Sequence, residues 1–282
     1  MISKTLIIAG MHRSGTSLVA HWLHRCGLFI GNRLVPAAIG NTEGHFEDAD
    51  FLEIHERFLR NHKLPASGFT NKPLSELTES EEQELQSLIT AKCSKNIQWA
   101  WKEPRTCFFL TTYKKLIPSA FFLVVVRDYN ATVNSMLLRE YVAHIKKFQE
   151  KKGLSKINWV LFKKKSRQGI FKKHANNYLK IWIRYYECIL DHILSLPAEK
   201  YMLVQYAYLV KDDQNVFKRL KEEWMFSLDY FPFKNVFKKE LLSTVENIDQ
   251  YIRDKNLIVR AKEIEKAIGR FIFHTNSQAI II

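Results

Sequence analysis

The chain has 282 residues, of which 46% are hydrophobic, and its formal net charge is +14. This length and apolar content suffice for one large α/β core. The four cysteines have no C-x-x-C spacing and no apolar run is long enough to span a membrane, which argues against a zinc site, a disulfide framework and a membrane protein. The apolar run at the N-terminus is also too short for a signal peptide, so we expect a cytoplasmic protein.

The first predicted strand and helix flank a glycine-rich loop. The stretch LIIAGMHRSGTSLVAHWL contains an apolar run that ends at Gly10 and an apolar-periodic segment that extends from Ser17 to Arg25. Gly10 and Gly15 have the G-x-x-x-x-G spacing of a Walker A loop, but Thr16 stands where a nucleoside triphosphatase has lysine. This substitution argues against triphosphate hydrolysis.

The rest of the chain alternates between helical and strand patterns. After an irregular segment at 27–50, the patterns predict helices at 51–61, 74–92, 106–117, 130–139 and 174–194, and strands at 98–104, 120–127 and 200–209. Thr78 or Ser80 is the predicted N-cap of the second of these helices. Strands that alternate with helices predict an α/β fold of three layers, α/β/α, around a central parallel sheet.

No repeat and no Gly-, Ser- or Pro-rich linker divides the chain, so we predict a single domain over residues 1–282. Residues 140–174 contain many lysines around scattered Leu, Trp and Phe side chains. This composition predicts a basic, mainly helical insertion, which is either a lid over the site or a solvated face.

The loop at 10–17 has the chemistry of an anion site. Backbone N–H groups and the positive end of a helix dipole bind phosphate whether or not a lysine is present. Arg13, Ser14, Thr16 and Ser17 favour a binding loop over a glycine turn that binds nothing.

The loop residues G-x-x-R-S-G-T-S-L resemble the 5′-phosphosulfate loop of sulfotransferases that use 3′-phosphoadenosine 5′-phosphosulfate (PAPS), in the arginine-bearing form of tyrosylprotein and bacterial carbohydrate sulfotransferases. A second match is VVVRDYNATVNSML, in which Ser135 follows Arg127 by eight positions. In that family such a pair holds the 3′-phosphate, and an arginine fork suits a phosphate chemically. The resemblance implies a P-loop NTPase-like fold and a reaction that needs no metal ion. It also implies a PAPS site formed by His12, Arg13, Ser14, Gly15, Thr16, Ser17, Arg127 and Ser135.

The segment WKEPR between these two motifs resembles the corresponding stretch of tyrosylprotein sulfotransferases. The resemblance gives Lys102 the role of stabilising charge on the bridging oxygen of the transferring sulfuryl group. Arg13, inside the loop, is counted as a second catalytic cation. Glu103 and Arg105 either shape the acceptor side or pair with each other.

The acceptor hydroxyl must lose a proton, which a carboxylate or histidine within hydrogen-bond reach would take. The loop NTEGHFEDADF at 41–51 offers such groups, and related enzymes take a glutamate from this region. Glu47 is the first candidate for the base, Glu43 the second and His45 the third. Asp48 is interpreted as a helix cap.

Two other functions remain open at this point. A P-loop kinase would need ATP and Mg²⁺, and the missing Walker lysine and Walker B acid argue against it. A non-catalytic protein that binds a nucleotide or polyanion would not need Lys102. The partners expected for the leading hypothesis are PAPS, its bisphosphate product PAP, and an acceptor that is a carbohydrate, a glycolipid or another molecule with a hydroxyl (or amine) group, with no nucleic acid.

Overall fold

The computed structural model describes residues 3–36, 44–149, 155–238 and 245–273, and their side chains except those of 148–149 and 155–165. Glu43 lies outside the described residues. Four parallel strands form one sheet in the order β2-β1-β3-β4. The strands are β1 Lys4–Ala9, β2 Gln98–Lys102, β3 Phe121–Val125 and β4 Tyr201–Val204.

Helices connect and cover these strands. In chain order they are α1 Thr16–Arg25, α2 Ala49–Asn61, α3 Glu79–Lys95, α4 Leu110–Leu116, α5 Tyr129–Gln149, α6 Ser155–Leu194, α7 Tyr206–Leu209, α8 Gln214–Lys218 and α9 Lys255–Gly269. Within the described ranges, no helix has both the length and the apolar character that crossing a bilayer requires.

Both faces of the sheet are buried, because alternate side chains of each strand enter different cores. Ile7 of β1 packs with residues of α2, α4, α5, α6 and α9. Its neighbours Leu6 and Ile8 pack on the other face with residues of α1, α7 and α8. Alternation of this kind places one layer of helices on each side. The predicted three-layer α/β/α fold with a central parallel sheet is therefore confirmed.

Several element boundaries differ from the prediction. The predicted strand at 200–209 ends at Val204, because the carbonyl oxygen of Gln205 accepts hydrogen bonds from the backbone of Tyr208 and Leu209 and starts a helical turn. The predicted helix at 74–92 begins at Glu79, where the side chain of Thr78 caps it in a capping box with Glu81. Thr78 is thus the N-cap.

The basic segment at 140–174 overlaps the end of α5 and the first half of α6. The two helices pack against each other, and α6 continues unbroken into the predicted helix at 174–194. The role of this segment as a lid stays a prediction. Helix α9, which packs on α6, was not predicted.

Candidate active site

The loop between β1 and α1 requires glycine at both ends. A Cβ atom on Gly10 would lie 2.5 Å from the carbonyl oxygen of Val125, and Gly10 has a φ of 152°. A Cβ atom on Gly15, whose φ is 99°, would lie 2.9 Å from the ring of Tyr206. L-residues with a side chain rarely adopt such φ values. The backbone of the loop therefore packs closely against both β3 and the start of α7.

The first turn of α1 begins directly from this loop. Gly15 is the N-cap and has no side chain with which to cap the helix. The buried hydroxyl of Ser14 donates a 2.6 Å hydrogen bond to the carbonyl oxygen of Met11, which closes the loop on itself. The first backbone N–H groups of an α-helix have no partner within the helix. The backbone N–H groups of Thr16 and Ser17 can therefore bind an anion at the point where the loop meets α1.

The loop is joined to the second motif by two hydrogen bonds. Nε of Arg13 donates to Oγ of Ser135 at 3.0 Å. Nη1 of Arg127 donates to the backbone carbonyl oxygen of Arg13, also at 3.0 Å. Burial, followed by the charges of Arg139 and Arg127, lowers the pKa of Arg13. The structure therefore brings together three of the eight residues predicted for the donor site, Arg13, Arg127 and Ser135, in a region of concentrated positive charge.

Arg127 is fixed at the end of β3 by aromatic side chains of α6. The hydroxyl of Tyr186 donates a 2.6 Å hydrogen bond to the carbonyl oxygen of Arg127, and the indole N–H of Trp182 donates to the same oxygen at 3.4 Å. The guanidinium carbon lies 5.6 Å from the ring centroid of Tyr206, a cation–π distance. This arrangement positions the guanidinium beside the loop.

Lys102 lies at the end of β2 and is completely buried. Its Nζ atom is 2.8 Å from Oε1 of Glu47 and 3.2 Å from Oγ of Ser17. Burial lowers the pKa of Lys102, although the charge of Glu47 opposes this effect. Lys102 thus connects three separate segments: the end of β2, the first turn of α1 and the segment that precedes α2.

Two of the three candidate bases are described. The Glu47 side chain is 12% exposed and contacts Lys102. His45 is 22% exposed, and its Nδ1 atom is 4.0 Å from Oε1 of Glu47, which is too far for a hydrogen bond. Burial lowers the pKa of His45. Asp48 does not join this group, since it caps α2 by accepting a hydrogen bond from the backbone N–H of Asp50, as predicted.

Glu103 and Arg105 pair with each other rather than with solvent. Nη1 of Arg105 donates to one carboxylate oxygen of Glu103, and Nδ1 of His55 lies 2.7 Å from the other. The Nε2 atom of His55 lies 2.6 Å from the hydroxyl of Tyr113. Burial would raise the pKa of Glu103, but the hydrogen bond to His55 and the charge of Arg105 outweigh it and lower the pKa to about 2. This buried network anchors the turn that follows Lys102.

His12 occupies the middle of the loop. Its ring centroid lies 4.8 Å from that of Phe69 and 6.1 Å from that of Tyr185. Burial, followed by the charge of Arg105, lowers the pKa of His12 to about 3, so the ring is neutral near neutral pH. Its Nε2 atom is buried and has no hydrogen-bond partner among the described residues.

Arg139 was not among the residues predicted for the site. This exposed residue lies on α5 one helical turn after Ser135, and its charge lowers the pKa of both Arg13 and His12. The signal was present in the sequence, because residues at positions i and i+4 of a helix share one face. Arg139 therefore adds to the positive charge around the loop.

Across the described ranges, no three His, Cys, Asp or Glu side chains form a group that could hold a metal ion. The polar side chains around the loop are mainly cations and hydroxyl groups, which suit an anionic ligand.

Residues 5–224 match the Sulfotransferase family, so the chain belongs to that family and is a sulfotransferase. Among solved structures, it is similar to sulfotransferase STF9 from Mycobacterium avium, with 13% identity, a TM-score of 0.53 and coverage of 94% of this chain and 77% of that one. It is also similar to the sulfotransferase domain of the Synechococcus PCC 7002 olefin synthase, with 15% identity, a TM-score of 0.46 and coverage of 95% of each chain. The first of these similarities supports the fold. A comparison with curated proteins gives no match.

Proposed function

We propose that this sulfotransferase transfers the sulfuryl group of PAPS to a hydroxyl or amine acceptor on a carbohydrate or other glycoconjugate. The observation that carries the proposal is the position of Lys102. Its Nζ atom contacts the first turn of the helix that follows the loop, through Ser17, and also contacts the carboxylate of Glu47. A cation between an anion-binding loop and a carboxylate suits a group transfer in which charge develops on a leaving oxygen.

The donor site combines the two motifs. The backbone of the loop, with Arg13, binds the 5′-phosphosulfate, and Arg127 with Ser135 binds the 3′-phosphate. The hydrogen bonds among Arg13, Arg127 and Ser135 support this assignment, because they join the two motifs directly. His12 belongs to this loop and is neutral, so it contributes hydrogen bonding and no charge.

The reaction is an in-line displacement at sulfur. The acceptor oxygen attacks the sulfur atom, and the bond between sulfur and the oxygen that bridges it to the 5′-phosphate breaks. The products are a sulfate ester and adenosine 3′,5′-bisphosphate. Lys102 stabilises the negative charge on the bridging oxygen, and Glu47 accepts the proton of the acceptor hydroxyl. Both groups are placed before the substrates bind, which favours catalysis by positioning.

The test compares ligands and metal dependence. Adenosine 3′,5′-bisphosphate without metal should raise the melting temperature of the protein, whereas ATP with Mg²⁺ should have a much smaller effect. Transfer of ³⁵S from labelled PAPS should continue in EDTA. Activity that is lost on chelation and restored by Mg²⁺, or stabilisation by ATP with Mg²⁺ alone, would contradict the proposal and favour a kinase.

A further inference from the structure

Two carboxylates of the segment 245–273 bind the first residue of α5. This segment follows the part of the chain that matches the family, and it contains α9. Oε1 of Glu265, on α9, accepts a 2.6 Å hydrogen bond from the backbone N–H of Tyr129. Oδ1 of Asp249, in the turn before α9, accepts a 2.9 Å hydrogen bond from the hydroxyl of the same tyrosine. Tyr129 is therefore held through both its backbone and its side chain.

These contacts complete the first turn of α5. The first backbone N–H groups of a helix have no partner within the helix, so other groups must bind them. The side chain of Asp128 binds the N–H of Ala131 at 2.7 Å, and Glu265 binds that of the first helical residue. Oδ1 of Asn130 accepts a further 2.7 Å hydrogen bond from the backbone N–H of Ile248. The position of this turn thus depends on the segment 245–273.

The first turn of α5 is also part of the packing around Arg127. The ring of Tyr129 meets that of Trp182 edge-on, with 6.0 Å between the centroids. The indole N–H of Trp182 donates to the carbonyl oxygen of Arg127. Ser135 lies further along the same helix. A shift of the first turn would therefore move the Ser135 hydroxyl and disturb the packing that fixes the backbone of Arg127.

We infer that Glu265 and Asp249 are positioning residues for the 3′-phosphate site, which hold the first turn of α5 so that Arg127 and Ser135 can bind one phosphate together. The inference rests on the proposed function, since that function assigns the 3′-phosphate to this pair. The two carboxylates act through Tyr129 and not on the nucleotide. A site whose groups are already in place loses less free energy to ordering when the ligand binds.

The test is calorimetric titration of adenosine 3′,5′-bisphosphate and adenosine 5′-monophosphate at about pH 8, where Glu265, whose pKa burial raises to about 6, is ionised. Glu265→Ala and Glu265→Gln remove the same charge, but only glutamine keeps an oxygen that can accept the hydrogen bond. Glu265→Ala should weaken bisphosphate binding roughly two- to tenfold, as expected for one lost hydrogen bond, and leave monophosphate binding nearly unchanged. Glu265→Gln should retain most of the wild-type affinity.

Two further variants complete the set. Glu263→Ala, at a 61% exposed position of the same helix, is the matched control and should bind both nucleotides as the wild type does. Tyr129→Phe removes the hydroxyl that bonds to Asp249 and keeps the ring, so it should also lower the ratio of bisphosphate affinity to monophosphate affinity. The melting temperature of each variant is measured alongside the titrations.

An unchanged affinity ratio in Glu265→Ala would overturn the inference, even with a lower melting temperature, because Glu265 would then serve stability alone. An equal loss in Glu265→Gln would also overturn it, since charge and not the hydrogen bond would be responsible. An unchanged ratio in Tyr129→Phe would overturn the role of Asp249, and the whole inference if Glu265→Ala does not fold. If the wild type binds the two nucleotides equally, the 3′-phosphate assignment of the proposed function fails instead.

Discussion

Nε of Arg13 donates a hydrogen bond to Oγ of Ser135 at 3.0 Å, although the two residues are 122 positions apart in the chain. The bond ties the loop after β1 to the first turns of α5. Removal of either residue therefore breaks one contact between the two parts of the proposed donor site, and the effects of a double variant at these positions should not be additive.

Arg127→Ala and Ser135→Ala should weaken the binding of adenosine 3′,5′-bisphosphate far more than that of adenosine 5′-monophosphate. A hydrogen bond to a charged group contributes about 1.5–3 kcal/mol, so the expected loss for the bisphosphate is roughly ten- to a hundredfold. Calorimetric titration of both ligands measures the difference. Arg260→Ala removes a surface arginine paired with Glu187 and is the matched control. Equal losses for the two nucleotides would show that the 3′-phosphate is bound elsewhere.

Lys102→Met should lower kcat while leaving the affinity for adenosine 3′,5′-bisphosphate nearly unchanged. The reason is that the lysine is proposed to interact with charge that appears as the bridging bond breaks. Steady-state kinetics and bisphosphate titration on the same preparation separate these quantities. A variant that loses only ligand affinity would identify Lys102 as a binding residue. Methionine preserves most of the buried volume, so the fold should survive.

Glu47→Gln should lower kcat without a matching rise in the acceptor KM, because an amide cannot take the proton of the acceptor. General-base catalysis typically contributes about 10²–10⁴-fold. His45→Gln is the natural comparison, since His45 lies 4.0 Å from Glu47. If His45→Gln loses more turnover than Glu47→Gln, the histidine is the base.

Arg105→Ala should destabilise the protein by about 3–5 kcal/mol, the usual cost of leaving one member of a buried ion pair alone. Glu103 is completely buried and, within the part of the chain that the structure describes, would keep only its hydrogen bond with His55. Chemical denaturation measures this free energy of unfolding. Arg260→Ala, in a largely exposed pair, should cost less than about 1 kcal/mol. A small effect of Arg105→Ala would mean that Glu103 does not depend on its arginine.

Acid should destabilise the protein partly through His192. This buried side chain has no hydrogen-bond partner on either ring nitrogen among the described residues, and burial, followed by the charge of Lys114, lowers its pKa to about 4. The unfolded chain takes up the proton near pH 6.5, but the folded chain does so only near pH 4. The contribution of the neutral ring is therefore complete above about pH 6.5 and is lost as the pH falls toward 4, by about 3 kcal/mol in total.

His192→Leu should flatten this part of the profile of unfolding free energy against pH, which denaturation at a series of pH values measures. Part of the slope should remain, because burial also lowers the pKa of His55. His24→Leu, on the exposed side of α1, is the control. An unchanged slope in His192→Leu would contradict the assignment.

Much of the fold was predictable because each local pattern matched its tertiary setting. The apolar run 120–127 predicted a strand buried on both faces, and β3 is that strand. Helix α9 was missed because its partner surface on α6 is distant in sequence. The strand predicted at 200–209 was too long, because its apolar residues continue into a helical turn and a short apolar run does not distinguish the two.

The candidate site was predictable as a set of residue types but not as a set of contacts. The resemblance of the second motif to the sulfotransferase family pointed to Arg127 and Ser135, yet nothing local indicated that Arg13 bonds to that serine. The pairing of Glu103 with His55 was equally hidden, since the two residues come from different elements. Contacts of this kind depend on tertiary packing, which periodicity does not report.

The order of the strands also fixes the distance between the backbones that carry Lys102 and Arg127. β1 lies between β2, which ends at Lys102, and β3, which leads to Arg127. Neighbouring strands are about 4.8 Å apart, so the backbones that carry these two cations are separated by roughly 10 Å of hydrogen-bonded sheet. The span between the sulfuryl end and the 3′-phosphate end of the proposed donor is then set by main-chain geometry. Loop and helix sequences on the faces of the sheet are free to diverge while that span remains constant.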